Sequence, residues 1–235
     1  MFIERPERAG IKVVSANTDG IVMLCDKRME GVMKQVVEEW KDDANFGTEA
    51  TEYSALYSRD VNNYIAVKKG GVKLKGSYAK AGVMKDPANE ICIEAVIAYI
   101  TEGKSLSETI RGCRDIRKFV TVRHVQGGAV CGARKYLKER FGKRGQPLKP
   151  KEALDFSNAQ YLGKAIRWYY STAGEVGIFY KNANASGTHN QVPMTEGAKP
   201  LMELSDEFPD DVDYRCYIRK ARQILQEIGF EENLV

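Results

Sequence analysis

Apolar residues in the first third of the chain come in short β-branched runs interrupted by polar turns. Residues 11–16 (IKVVSA) and 20–25 (GIVMLC) are two such runs, and the Asn17-Thr18-Asp19-Gly20 between them predicts a hairpin. An Asp-Gly pair in this setting is a strong turn signal, because glycine supplies the positive φ of a tight reversal. Met29, Val32, Met33, Val36, Val37 and Trp40 then fall on one helical face. They predict an amphipathic helix that packs across the hairpin, with the methionines as core. From 51 to 79 the segments are rich in Tyr, Val and Ile and break at Arg59-Asp60 and Lys69-Gly70-Gly71, which predicts three antiparallel strands.

After residue 85 the spacing becomes helical. Asp86 as cap and Pro87 as first helical residue predict a helix carrying Ile93, Val96, Ile97 and Ile100 on one face and ending at Gly103. A short helix at 105–112, a β-like run at 119–125 and the Gly127-Gly128 pair follow, and the stretch after Ala133 reads as partly helical up to Pro147 and Pro150. Ser157 is positioned to cap a helix reaching about 170, with Tyr161, Leu162, Ala165, Ile166 and Tyr169 inward and Lys164, Arg167 and Trp168 on the other side. A strand at 176–181, a polar loop at 182–191 and a final helix at 212–228 complete the chain, with Ile218, Ala221, Leu225 and Ile228 inward and Gly229 as its stop. The pattern predicts an α+β protein: an antiparallel β portion with a packing helix over 1–85, then a mainly helical domain over 86–235.

Composition narrows the class without deciding it. The 235 residues are 43% hydrophobic and 29% charged, the proportions of an ordinary soluble globular protein. No apolar run approaches the roughly 18 residues of a membrane span, and the charged start MFIERPERAG lacks a signal peptide's apolar segment. A cytoplasmic protein is expected, in the host cell if the source is viral. The five cysteines, odd in number and without a C-x-x-C pair, predict reduced thiols rather than disulfides or zinc. His124 and His189 have no catalytic partner nearby in sequence. The net charge of +4 is mild but segregated: residues 134–151 hold eight Lys or Arg and one acid, whereas 203–213 hold six acids and no base.

The residues of the first hairpin admit two readings. Asp19 is part of a turn, or it is a carboxylate held at the tip of a rigid ribbon as a ligand for a hard divalent cation. The order of segments bears on the choice. ANTDGIVML, then a helix, then EYSALYSRDVNNYIAV, VKLKGSYAKAG, NEICIEAVIAYI, GKAIRWYYS and EGAKPLMELSDEFPDDVDY resembles the C-terminal portion of family-B (α-like) DNA polymerases, especially those of bacteriophages, over nearly the whole chain.

That resemblance implies a palm portion followed by a thumb. It makes the hairpin motif C, usually D-T-D-S, and matches Asp19 to the aspartate that binds the catalytic Mg2+ of a nucleotidyltransferase. Asn17 stands where the first aspartate is usual and Gly20 where serine is, so Asn17 is expected to support the site by hydrogen bonding, with Thr18 between them. The segment Lys73-Leu74-Lys75-Gly76-Ser77-Tyr78-Ala79 resembles the family's K-K-R-Y-A element beside primer–template DNA, with an additional Gly-Ser. Lys73 and Lys75, two apart on a strand, share a face from which both reach phosphates or the minor groove, and Tyr78 is expected near the primer terminus. Arg59, Asp60, Asn62 and Asn63 either contact the primer strand or build their turn. Arg117, Lys118, Arg123 and the 134–151 run are candidates for the thumb's grip on duplex phosphates. Trp168 reads as buried thumb core.

One carboxylate cannot make a two-metal site. The hairpin begins within about twenty residues of Met1, so the motif A aspartate and the fingers that bind the deoxynucleotide triphosphate are expected on a separate N-terminal polymerase chain. The expectation is a split or truncated polymerase piece that is inactive alone. A non-catalytic duplex-binding module, or a structural subunit with a basic surface, is the alternative.

Overall fold

The computed structural model describes residues 2–18, 20–80, 86–137, 151–154, 156–174, 176–181, 189–204 and 207–230. The chain divides into two compact units, Met1–Ala79 and Lys80–Val235.

In the first unit a short helix α1 (Glu4–Arg8) precedes β1 (Lys12–Asn17) and β2 (Gly20–Leu24), which pair antiparallel as the alternating runs predict. Helix α2 (Glu30–Ala44) begins where Asp26 accepts the Arg28 N–H at the head of a 3-10 turn, and ends at Asn45 in the left-handed region (φ 50°). It has the expected apolar stripe but no buried residue. Trp40 packs on Phe2, with ring centroids 4.6 Å apart, and Phe46 lies 6.1 Å to its other side. Strands β3 (Ala55–Asp60), β4 (Asn63–Lys68) and β5 (Gly71–Lys75) form the predicted three-stranded antiparallel sheet, with β4 central and its Ile65 and Ala66 fully buried.

The second unit differs from expectation. Helices α3 (Glu90–Glu102), α4 (Leu106–Gly112) and α5 (Tyr214–Glu227) are present, but they accompany a six-stranded antiparallel sheet rather than a mainly helical domain. Its axis is β6 (Thr121–Leu137), a 17-residue strand paired with β8 (Gln160–Tyr170), β9 (Val176–Lys181) and, at its far end, β7 (Lys151–Leu154). The edges are β10 (His189–Gln191) beside β9 and β11 (Ala198–Pro200) beside β8. Residues 134–137, read as the start of a partly helical stretch, are thus one side of a hairpin whose other side is 151–154, and the basic residues 138–150 lie outside the described residues.

The largest correction is at 157–170, where strand β8, from Gln160, takes the place of the expected helix. Leu162, Ile166, Trp168 and Tyr170 are buried at even positions, while Lys164 and Arg167 are exposed. A bulge hides this period of two: the register jumps from Ala129 opposite Gly163 to Val130 opposite Tyr161, with Gly163 at φ +88°. Helix α3 also begins later than Asp86-Pro87 suggests. Residues 87–89 are held against the start of β6 by the Val122 N–H donating to the Pro87 carbonyl and the Asn89 N–H to the Val120 carbonyl, 2.8 and 3.2 Å, and Asn89, at φ +51°, turns the chain into the helix. Residues 189–191, read as loop, add β10 to the sheet edge. The expected stop at Gly103 holds, closing α3 at φ +69°, and the short helix expected at 105–112 is α4, capped by Ser105.

The core of this unit is aromatic. Phe119 meets Tyr217 and Phe208 edge-on at 5.0 and 5.4 Å, and the buried Tyr217 hydroxyl donates to the Phe119 carbonyl and accepts from the Tyr170 N–H, both at 2.8 Å. Burial pushes the Tyr217 phenol well above its ordinary pKa, so it stays a neutral donor. Trp168 is fully buried among Val125, Leu162, Ile178 and Val192, as core. Cys92, Cys131 and Cys216 are buried free thiols, and Cys25 and Cys113 are half-buried and free.

Candidate functional site

The first hairpin closes with Asn17 opposite Gly20. Gly20 is therefore the first residue of β2 and pairs across the hairpin instead of lying within its turn. The two strands are paired from Lys12 opposite Leu24 to Asn17 opposite Gly20. Asn17, Thr18 and Gly20 are exposed, and Asp19 lies outside the described residues. Among the described residues there is no cluster of three or more His, Cys, Asp or Glu side chains able to hold a metal. Mg2+ requires near-octahedral oxygen coordination. The donors of this turn fit as part of such a shell, the amide of Asn17 and the hydroxyl of Thr18 beside a single carboxylate, and do not complete one.

The second group of predicted residues is brought together at one end of the three-stranded sheet. Asp60 at the end of β3 accepts from the Asn62 N–H at 2.9 Å, through both carboxylate oxygens from the Asn63 side-chain amide nitrogen at 2.7 and 2.8 Å, and from Arg59 Nε at 3.2 Å. These bonds, the Asn63 amide foremost, hold the Asp60 carboxyl below its ordinary pKa. The Asn63 carbonyl oxygen in turn accepts from the backbone N–H and hydroxyl of Ser77, each at 2.8 Å. Gly76 sits directly on this turn at φ +65°, and a Cβ there would overlap the Asn62 carbonyl and the Asn63 side chain. The Gly76-Ser77 pair that sets this chain apart from the K-K-R-Y-A pattern is thus the docking piece between β5 and the β3–β4 turn. For Asp60 and Asn63 the turn-building role is the one these bonds describe.

Lys73 and Lys75 do share a face of β5, opposite Ala66 and Tyr64 of β4. The Lys75 ammonium stands 5.8 Å from the Tyr64 ring centroid. The Tyr53 hydroxyl, accepting from Lys73, raises that ammonium's pKa. Each lysine is therefore oriented by a tyrosine while its charge stays uncancelled by those contacts, an arrangement able to meet phosphate oxygens. The periodicity of β4 marks Tyr64 as their neighbour once the register is known; nothing in the sequence pointed to Tyr53. Tyr78 is buried at 2% exposure, in the short 3-10 turn Gly76–Tyr78, and so packs rather than projects.

In the second unit the predicted grip residues already have partners. Arg117 donates to both carboxylate oxygens of Asp115 at 2.7 and 2.8 Å, which lowers the Asp115 pKa. Lys118 pairs with Glu94 at 2.7 Å, and Arg123 donates to the Pro193 carbonyl at 3.3 Å. Of the acids at 203–213, Asp213 caps α5 through the Cys216 N–H. Asp211 accepts from Tyr169, Ser171 and Lys199 at 2.7, 2.8 and 2.6 Å, an anchor for its segment on the sheet.

No protein-family profile matches the chain, and no curated protein matches it. No helix among the described residues is long and apolar enough to cross a membrane.

Proposed function

We propose that this chain is the C-terminal piece of a family-B DNA-directed DNA polymerase, inactive alone, which supplies Asp19 and a primer–template surface to a site completed by an N-terminal chain carrying motif A and the fingers. The observation that carries the reading is the hairpin: β1 and β2 stay paired as far as Asn17 opposite Gly20, at the place where the resemblance puts motif C. In such a site bound Mg2+ neutralises charge on the attacking and leaving oxygens of phosphoryl transfer. The contribution of this chain is positional. Asn17, the last paired residue of β1, brings an amide to the site rather than a second negative charge. Lys73 and Lys75 offer two cations on one strand face to the phosphates of primer–template DNA.

The need for a partner is supported by incomplete covering in the first unit. Leu24 at the end of β2 and Phe46 after α2 are 64% and 66% exposed, and Val14 and Val32 are exposed beside them in sequence order. Contiguous apolar surface marks interaction sites, and these residues are the candidates for the partner's contact.

Primer extension with Mg2+ and all four deoxynucleotide triphosphates tests the proposal. The 235-residue chain alone is expected to give no synthesis, and a chain bearing motif A and the fingers to restore it. Asp19→Ala is then expected to abolish turnover, by at least about 10³-fold if the carboxylate is a metal ligand, with duplex affinity unchanged. Synthesis by the isolated chain, or full activity of Asp19→Ala in the reconstituted enzyme, overturns it.

A further inference from the structure

Arginine and lysine side chains across the described residues commonly end on a carboxylate: Arg5 on Asp43, Arg117 on Asp115 and Lys118 on Glu94 are examples. Two exposed arginines in the second unit do not. Arg111, in the last turn of α4, and Arg114, just beyond it, make no ion pair among the described residues, although Asp115 is adjacent in sequence. Asp115 has both oxygens committed to Arg117.

Both guanidinium groups gather around one aromatic residue, Tyr214, at the start of α5. The Arg111 guanidinium carbon is 5.1 Å from the Tyr214 ring centroid, and Arg114 Nη1 is 3.5 Å from the Tyr214 hydroxyl. Arg114 also lies 5.5 Å over the Phe208 ring. Stacking on a ring fixes the plane of a guanidinium and leaves its edge available for a bidentate acceptor. The hydrogen bonds confirm which edges are in use. Arg114 makes all its bonds through Nη1, to the Arg111 and Cys113 carbonyls at 2.6 and 3.1 Å and to Tyr214. Arg111 donates through Nε alone, to Ser107 at 3.2 Å. Nη1 and Nη2 of Arg111, and Nε and Nη2 of Arg114, make no hydrogen bond among the described residues.

Two cations held beside one ring repel each other, and the carbonyls and rings that orient them offset this only in part. An oxyanion that accepts from both removes the repulsion, and a phosphate accepts such forks best. We propose that Arg111 and Arg114, braced by Tyr214 and Phe208, form a phosphodiester-binding patch for a nucleic-acid backbone. This rests on the polymerase reading for its choice of a nucleic acid; the chemistry of the patch itself rests on the two arginines. The sequence-based candidates Arg117 and Lys118 give way to it, because binding phosphate through them first requires breaking an ion pair.

The test is duplex binding by the full chain, measured by fluorescence anisotropy of a labelled primer–template across a salt series. Each phosphate neutralised contributes about 0.9 to the slope of log affinity against log salt. Arg111→Gln/Arg114→Gln is expected to lower that slope by about 2, so that the affinity lost between about 50 and 200 mM salt shrinks roughly tenfold relative to the unsubstituted chain. Arg117→Gln is expected to leave the slope unchanged. Arg114 also satisfies carbonyls at the end of α4, so Arg111→Gln, which spares those bonds, is measured separately and is expected to lower the slope by about 1. Inorganic phosphate is titrated as a competitor: displacement of the duplex at low millimolar phosphate identifies a free-phosphate site and overturns the backbone assignment. An unchanged slope in Arg111→Gln and the double variant overturns the patch while leaving the polymerase reading, which stands or falls on reconstituted synthesis and Asp19. Absence of duplex binding at low salt also overturns the patch.

Discussion

Helices α2 and α5 are nearly equal in length and both carry an apolar stripe, yet α5 buries Cys216, Tyr217, Ala221 and Leu225 while α2 buries nothing. The difference extends to the units that hold them. The second has a continuous aromatic and aliphatic core in which Trp168, Tyr169, Tyr217, Phe119 and Phe179 are almost wholly enclosed. In the first, full burial is confined to a few residues, Ile11, Ile65, Ala66 and Tyr78 among the apolar ones. Burial of apolar area is the main favourable term in folding. The second unit accordingly contains its own reason to fold, and the first contains surfaces that gain from being covered.

The two tryptophans of the chain divide between the units, Trp40 in the first and Trp168 in the second, and so make the contrast measurable. In a Trp40→Phe background, Trp168 fluorescence during urea unfolding follows the second unit; in a Trp168→Phe background, Trp40 follows the first. Ile166 is fully buried in the core around Trp168. Ile166→Ala is expected to cost about 2–5 kcal/mol, by lost transfer energy and the cavity left behind, and to move the Trp168 transition alone. A matching shift of the Trp40 transition breaks the comparison, since the units then unfold as one.

What the sequence revealed follows the same division. Elements whose signals are local were legible: the first hairpin and the three-stranded sheet of the first unit, the short helix at 105–112, the stop at Gly103 and the stripe of α5. The strand at 160–170 was not. Its alternation is interrupted by the Gly163 bulge, and its partners β6 and β11 lie about 40 residues before it and 30 after it, beyond the reach of a local pattern. The 138–150 run and Asp19 lie outside the described residues. Among the candidate site residues, the placement of Lys73 and Lys75 on one face was readable from spacing. The pairing of Arg117 with Asp115, two residues apart, had a sequence cue in their proximity. The gathering of Arg111 and Arg114 around Tyr214 had none, since α4 and α5 are separated by the whole sheet.

A smaller effect sharpens the comparison from the side of the first unit. Gly76 adopts φ +65° against the β3–β4 turn, so Gly76→Ala meets both backbone strain and steric overlap with Asn62 and Asn63. The expected cost is about 1–3 kcal/mol, seen in the Trp40 transition and not in that of Trp168. A wild-type midpoint in this variant would show that the Asn63–Ser77 bonds do not hold β5 to the turn.

The smallest effect is the most informative about why the units differ. Leu24 is 64% exposed at the end of β2, and its side chain contributes little to the isolated fold. Leu24→Ser is therefore expected to change unfolding free energy by less than about 0.5 kcal/mol, the range of ordinary surface substitutions. If the first unit is a surface awaiting the remainder of a polymerase palm, the same substitution should weaken association with the complementing chain, read as a higher concentration of that chain needed for half-maximal primer extension. Destabilisation of the isolated chain by Leu24→Ser would instead mean that β2 already packs against its own unit. Loss of neither stability nor association would leave the exposed leucine as ordinary surface and place the partner's contact elsewhere on the unit.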